Sequence, residues 1–332
     1  SALSAPRNHP TPNPRSNAVN TRDRIVIGSR GSDLALWQAG WAKDRLRAAH
    51  PSLSVEVKII RTTGDVNLDT PLAEIGDKGL FTKELENALL AGEIDAAVHS
   101  LKDMPTRLPD GLDLGAISER EDVRDAFVAH PSSPVRSLAD VPQRGTIATG
   151  SLRRRSQLLA LRPDLRLEGL RGNIQTRLRK LDESDWHGII LATAGLKRLG
   201  LTQWITEILP AEVILPAVGQ GALGVEIRVD DDTVRDALGV IESPETRAAT
   251  TAERSLLRRL EGGCQIPIGA LGVVREGRLH VAAVVGSLDG RRIVRADVTG
   301  DRRNAEALGD ALAEKLLADG AGDILNEIRK RL

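Results

Sequence analysis

A single cysteine, Cys264, stands in the run Glu261-Gly262-Gly263-Cys264-Gln265-Ile266-Pro267-Ile268-Gly269. Glycines on both sides let the backbone bend sharply and let another group come close to the thiol. One cysteine excludes an internal disulfide and any multi-thiolate metal site, so Cys264 is either a buried structural thiol or a chemically used one. It lies just past the stop of a helix. A helix C-terminus does not stabilise a thiolate, which suits a lasting covalent anchor better than a nucleophile regenerated each cycle.

Arginines form a second constellation in Ser151-Leu152-Arg153-Arg154-Arg155, Leu170-Arg171-Gly172-Asn173, Arg177 and Lys197-Arg198. Two of these groups fall at strand-to-helix turns. Guanidinium forks bind carboxylates bidentately, at roughly 1.5 to 3 kcal/mol per charge-assisted contact, and a helix N-terminus adds backbone N–H groups for the same anion. Several such groups imply several carboxylates, whereas Arg155 and Arg179 read as solvated helix-face residues. Phosphate is the competing anion, yet neither a P-loop nor a glycine-rich dinucleotide fingerprint is present.

The third constellation, His99-Ser100-Leu101-Lys102-Asp103-Met104-Pro105, ends a strand-like run, where α/β folds place active-site groups. It holds an acid and a base side by side. Asp103 alone also reads as a turn former and Lys102 as a surface charge. A His99–Cys264 dyad of the cysteine-hydrolase kind is a rival reading, although a lone histidine is more often a structural hydrogen-bonding residue.

These groups need a scaffold. The strand pattern Arg24–Ile27, a turn at Gly28–Ser32, a helix with Leu34, Trp37, Trp41 and Arg45 with Leu46 on one face, and the strand Val55, Val57, Ile59 make a βαβ unit. A helix carrying Phe81, Leu85, Ala88 and Leu89 and a strand from Ile94 to His99 follow. A second series with parallel strands begins at Gly145–Ala148, continues through a helix from Ser151, and reaches strands near Leu165–Leu170 and Gly188–Ala192. Two such modules hold ligands at strand ends, in the crevice between them. Ser243-Pro244 reads as an N-cap and first helical residue, with Ala248, Ala252, Leu256 and Leu260 along the apolar face. Alternation at 271–274, 279–285 and 292–298, then a helical pattern from Asn304, gives a small domain with three antiparallel strands.

Composition bounds the partners. Lysine plus arginine equals aspartate plus glutamate at 46 each over 332 residues, so no global field draws the chain to nucleic acid or an acidic membrane. Four Trp, two Phe and no Tyr give little for a base-stacking platform. No apolar run reaches bilayer length, and a reducing, cytoplasmic setting is expected. Residues 1–22 are rich in Pro, Asn and Ser and read as disordered; four prolines in the first fourteen residues count against the amphipathic helix of an organelle-import sequence, which stays as the alternative.

Seven motifs then occur in the order found in porphobilinogen deaminases, also called hydroxymethylbilane synthases, and the chain resembles that family from about Arg24 onward. They are Arg30-Gly31-Ser32 with Leu34-Ala35 and Gln38, Lys78-Gly79-Leu80-Phe81, His99 to Asp103, Ser151-Leu152-Arg153-Arg154, Leu170 to Asn173, Pro216-Ala217-Val218-Gly219-Gln220-Gly221, and Glu261 to Gln265. The resemblance implies condensation of four porphobilinogen units head to tail with release of ammonia. Hydrolysis then gives linear hydroxymethylbilane, which passes to the next enzyme of tetrapyrrole synthesis. It implies a dipyrromethane cofactor in thioether linkage to Cys264, a catalytic Asp103, and no metal. Lys102, Ser32, Ser151, Arg153, Arg154 and Arg177 would hold the cofactor; Arg30, Arg171 and Arg198 would face the substrate; Lys78, Phe81 and Gln220 would support them.

The implied fold is two periplasmic-binding-protein-like α/β domains plus a small C-terminal α+β domain with a three-stranded antiparallel sheet. The expected limits are 23–118 with 217–240, 119–216, and 241–332, in a monomer. Two positions depart from the family pattern: Gly150 where a serine is common, and Asp33 where a proline is frequent.

Overall fold

The computed structural model describes residues 22–62, 82–260 and 266–330. The disordered reading of 1–22 therefore falls outside it except for Arg22, which pairs with Asp95 and Asp231 at 2.7 Å each. In chain order the strands are β1 (Arg24–Ser29), β2 (Ser54–Ile59), β3 (Ala96–Ser100), β4 (Leu112–Ile117), β5 (Asp125–Ala129), β6 (Thr146–Ala148), β7 (Arg166–Glu168), β8 (Gly188–Ala192), β9 (Glu207–Leu209), β10 (Leu223–Arg228), β11 (Ile268–Arg275), β12 (Arg278–Gly286) and β13 (Ile293–Asp301).

Three sheets result, ordered β2-β1-β3-β10-β4, β7-β6-β8-β5-β9 and β11-β12-β13. The two five-stranded sheets are built alike. Each has a parallel trio, β2-β1-β3 or β7-β6-β8, followed by an antiparallel strand that arrives from the other lobe. The fold class expected from the sequence is borne out, but the lobes are mixed and not purely parallel. The crossing strands β5 and β10 carry none of the loop signals that mark the βαβ units, and the edge strands β7 and β9 have three residues each.

Ser32 caps the helix Asp33–Ala49, its Oγ accepting from Ala35 N. The expected face of that helix is borne out at Leu46, which is buried, and at Trp41, which packs on the same core, and is corrected at Trp37. Ala35, Gln38, Ala39, Ala42 and Leu46 are buried, and Trp37 turns outward. Small residues win because the helix lies close on the β1–β3 face, where Ala39, Ala42 and Leu46 meet Ile25, Ile27 and Val98.

In the third domain Ser243 caps the helix Pro244–Arg259, with proline at the start, and Ala249, Ala252, Leu256 and Leu260 enter one core with Val281, Ala283 and Leu312. Leu256 is fully buried, so Leu256→Ala would cost about 2–5 kcal/mol. Several polar side chains of this helix are buried, among them Thr250, Glu253 and Ser255. Glu253 accepts Arg120 Nη1 and Nη2 at 2.6 and 3.0 Å and the backbone N–H groups of Gly219 and Gly272 at 2.7 Å each.

Those contacts hold the two crossings. Glu121 N donates to Gly221 O at 3.1 Å, Arg120 Nε to Gln220 O at 2.8 Å, and Ser118 N to Leu223 O at 3.0 Å. Gly221 has φ +90, and a Cβ there would lie 2.5 Å from Glu121 O, so only glycine lets the strands approach this closely.

Candidate active site

Strand β3 ends in a 3-10 turn, Leu101–Asp103, that buries Leu101 against Met104, Ile117 and Ala222. Leu101 is anchored in the core, whereas the two residues after it are not, Lys102 being half-buried and Asp103 exposed. Burial pushes the Lys102 ammonium down to about 8; Asp103 and Asp125 oppose the shift, while Arg154 and Arg153 reinforce it. Among the described residues Lys102 makes no hydrogen bond or ion pair.

Across the crevice, Ser151 caps the helix Leu152–Leu161 by accepting from Arg154 N, and Asn173 caps Ile174–Asp182 by accepting from Thr176 N. The first of these helices buries Arg153 and Arg154. Asp125, fully buried at the head of β5, receives Arg153 Nη1 on Oδ2 at 2.9 Å and Arg154 Nη2 on Oδ1 at 2.7 Å. Burial alone would raise the Asp125 carboxyl, but the two guanidiniums hold it far below the usual carboxylate range. Arg153 Nη1 also reaches Leu215 O at 2.7 Å, and Arg154 Nη1 reaches Ile190 O at 2.9 Å. The Nε atoms of both arginines are buried and have no acceptor.

Arg177 donates from Nε to Gly172 O at 2.7 Å. Burial lowers its guanidinium to about 10, with the charges of Arg154, Asp103 and Arg171 all felt. Asp103 and Arg154 thus act on both Lys102 and Arg177, with Arg153 also felt at Lys102 and Arg171 at Arg177.

Arg198 is set apart from this group. Its Nη2 donates to Gly221 O at 2.6 Å, its guanidinium stands over the Trp37 ring at 5.8 Å, and burial lowers it to about 10. Arg30 is half-buried beyond β1, close to Ser32 in sequence. Gln220 is buried and donates to Val123 O at 2.7 Å and Asp125 Oδ1 at 2.9 Å. Lys78, Phe81 and Cys264 lie outside the described residues. Arg155 is held by Leu167 O at 3.2 Å.

His99 is engaged within the sheet, its Nε2 lying 3.1 Å from the buried Glu226 Oε2 on β10. The departure at Gly150 has a local cause, since a Cβ there would stand 2.4 Å from Leu170 O. Asp125 and Glu253 are the residues that sequence reasoning missed. The available signal was an acid opening or interrupting an apolar run, as in Asp125-Ala126-Phe127-Val128, where a buried charge needs a cation.

A dipyrromethane carries acetate and propionate groups, so the fit of the chain to it turns on spare buried donors. The two Nε atoms without acceptors and the Lys102 ammonium are such donors, and the residues present fit the group. Among the described residues no three His, Cys, Asp or Glu side chains gather as a metal ion would require, and no helix is long and apolar enough to cross a membrane.

Two α/β lobes joined by paired crossings bring the Arg177 guanidinium of one lobe within electrostatic range of the Asp103 carboxylate of the other. Residues 25–236 match the model described as "Porphobilinogen deaminase, dipyromethane cofactor binding domain", and residues 248–318 match "Porphobilinogen deaminase, C-terminal domain". The chain belongs to the porphobilinogen deaminase family. It is 56% identical over 308 residues to the porphobilinogen deaminase of Desulforudis audaxviator, covering 93% of this chain and 99% of that one. It is 51% identical over 309 residues to that of Geobacter sulfurreducens, covering 93% and 96%. Among solved structures it is similar to the periplasmic aliphatic sulphonate binding protein SsuA from Escherichia coli, at 11% identity and a TM-score of 0.38 over 73% of this chain and 71% of that one.

Proposed function

We propose that the chain is a hydroxymethylbilane synthase, a transferase that condenses four porphobilinogen units onto a Cys264-linked dipyrromethane with loss of ammonia and then releases hydroxymethylbilane by hydrolysis. Family membership supports the reaction. The observation that carries the assignment of residues is the buried pair Arg153 and Arg154, each keeping an Nε donor without an acceptor.

When bound, the dipyrromethane supplies the pyrrole carbon to which incoming units are joined. The chain itself supplies charge and position. As ammonia leaves porphobilinogen, positive charge develops on a pyrrole nitrogen, and an Asp103 carboxylate held at that N–H stabilises it; each 1.4 kcal/mol of such preferential stabilisation is worth about tenfold in rate. Lys102, Ser32, Ser151, Arg153, Arg154 and Arg177 would hold the cofactor carboxylates. Arg30, Arg171 and Arg198 would hold those of the substrate, with Lys78, Phe81 and Gln220 supporting. Bidentate guanidinium contacts fix orientation as well as affinity, which a head-to-tail joining requires.

The three sheets support domain limits of 23–118 with 217–240, 119–216 and 241–332. Exposed large apolar residues fall singly on separate elements, such as Ile59, Leu161 and Val229, which supports a monomer that hands its product to the next enzyme. A thiol that must stay free for alkylation supports a reducing cytoplasm.

Intact mass of the freshly expressed protein, with the aldehyde colour reaction for pyrroles, tests the reading. A bare-chain mass and no colour after supplying porphobilinogen would defeat it.

A further inference from the structure

We propose that Asp125 is a positioning residue that sets Arg153 and Arg154 in the orientation from which their remaining donors meet a bound carboxylate. This rests on reading the two arginines as cofactor ligands and extends it to a residue outside the expected site.

Asp125 is reached from three directions. Arg153 Nη1 and Arg154 Nη2 come from the helix Leu152–Leu161, and Gln220 Nε2 comes from the second crossing. A guanidinium is planar, with its donors in fixed directions, so holding one edge determines where the others point. Each arginine is held twice through its terminal nitrogens, to Asp125 and to a carbonyl, Leu215 O or Ile190 O. Both Nε atoms are left buried without acceptors.

Charge leads to the same conclusion. Two guanidiniums and one carboxylate, +2 and −1, leave one positive charge in a buried cluster, with Lys102 felt beside it. A buried excess charge is costly unless a ligand compensates it. The link to Gln220, which also donates to Val123 O, registers the arginine pair against both crossings and not against its own lobe alone.

Asp125→Glu keeps the charge but moves the carboxylate outward by about one C–C bond, roughly 1.5 Å. Asp125→Asn keeps the shape but removes the charge. Purified variants would be compared by thermal midpoint, by the fraction carrying cofactor in intact mass, and by KM and kcat for porphobilinogen in the loaded fraction. We expect Asp125→Glu to melt near the parent yet take up cofactor about tenfold or more slowly, the effect of one misplaced charge-assisted contact. If Asp125→Asn fails to fold, Asp125→Glu decides. Parental loading and kinetics in Asp125→Glu, or loading lost only in step with the midpoint, would overturn the proposal. Arg154→Lys separates the two levels. Normal loading there defeats the reading of the arginines themselves, whereas loss there with normal loading in Asp125→Glu defeats only the positioning role.

Discussion

Glu253 and Arg120 form a two-armed ion pair at 2.6 and 3.0 Å that joins the third domain to the first crossing between the lobes. Glu253 is fully buried and also receives the N–H groups of Gly219 and Gly272. Removing one partner strands a buried charge and two amides. Glu253→Ala should cost about 3–5 kcal/mol, read as a lower denaturant midpoint. An unchanged midpoint would show that the pair is dispensable.

Asp103 is exposed, and among the described residues its side chain makes no hydrogen bond or ion pair. Asp103→Asn should therefore leave the melting curve and the covalent cofactor intact while turnover falls about 10²–10³-fold, the scale of losing one electrostatic stabiliser. Turnover and intact mass together check this, and full turnover would remove the assigned role.

Cys264 is the only thiol, so no other residue can take over a thioether link. Cys264→Ser should give the bare-chain mass even after incubation with porphobilinogen. A mass increase in that variant would place the attachment elsewhere.

Lys102 sets a pH limit. Its folded value of about 8 lies below the ordinary 10.5, so the folded chain gives up the proton first and stability rises as pH climbs between them. The same loss removes a cation from the cleft. Cofactor uptake should decline above about pH 8, and Lys102→Arg should erase that decline, because arginine stays charged. A flat pH profile in the parent would rule out the dependence.

A serine at position 150 would press its Cβ onto Leu170 O at 2.4 Å. Gly150→Ser alone should destabilise by about 1–3 kcal/mol through overpacking, measured by chemical denaturation. No loss would mean that the segment around Leu170 moves freely.

The caps were legible in the sequence because they are local. Ser243 announces a helix and accepts the expected backbone N–H, and Ser32 and Ser151, read as a turn end and a helix start, cap their helices in the same way. The seven motifs likewise name one family in order. Asp125 and Glu253 were not legible, since their meaning lies in partners 28 and 133 residues away. The outward turn of Trp37 was hidden for a similar reason. A bulky apolar residue reads as core until a distant arginine, here Arg198, is seen over its ring.

The return of β10 between β3 and β4 has a consequence for biosynthesis. The first sheet cannot close until residue 228 has been made, whereas β5 to β9 form an uninterrupted stretch from 125 to 209. As the chain emerges from the ribosome, the second lobe is the first complete folding unit, and β3 and β4 must wait, side by side and unjoined, for their missing partner.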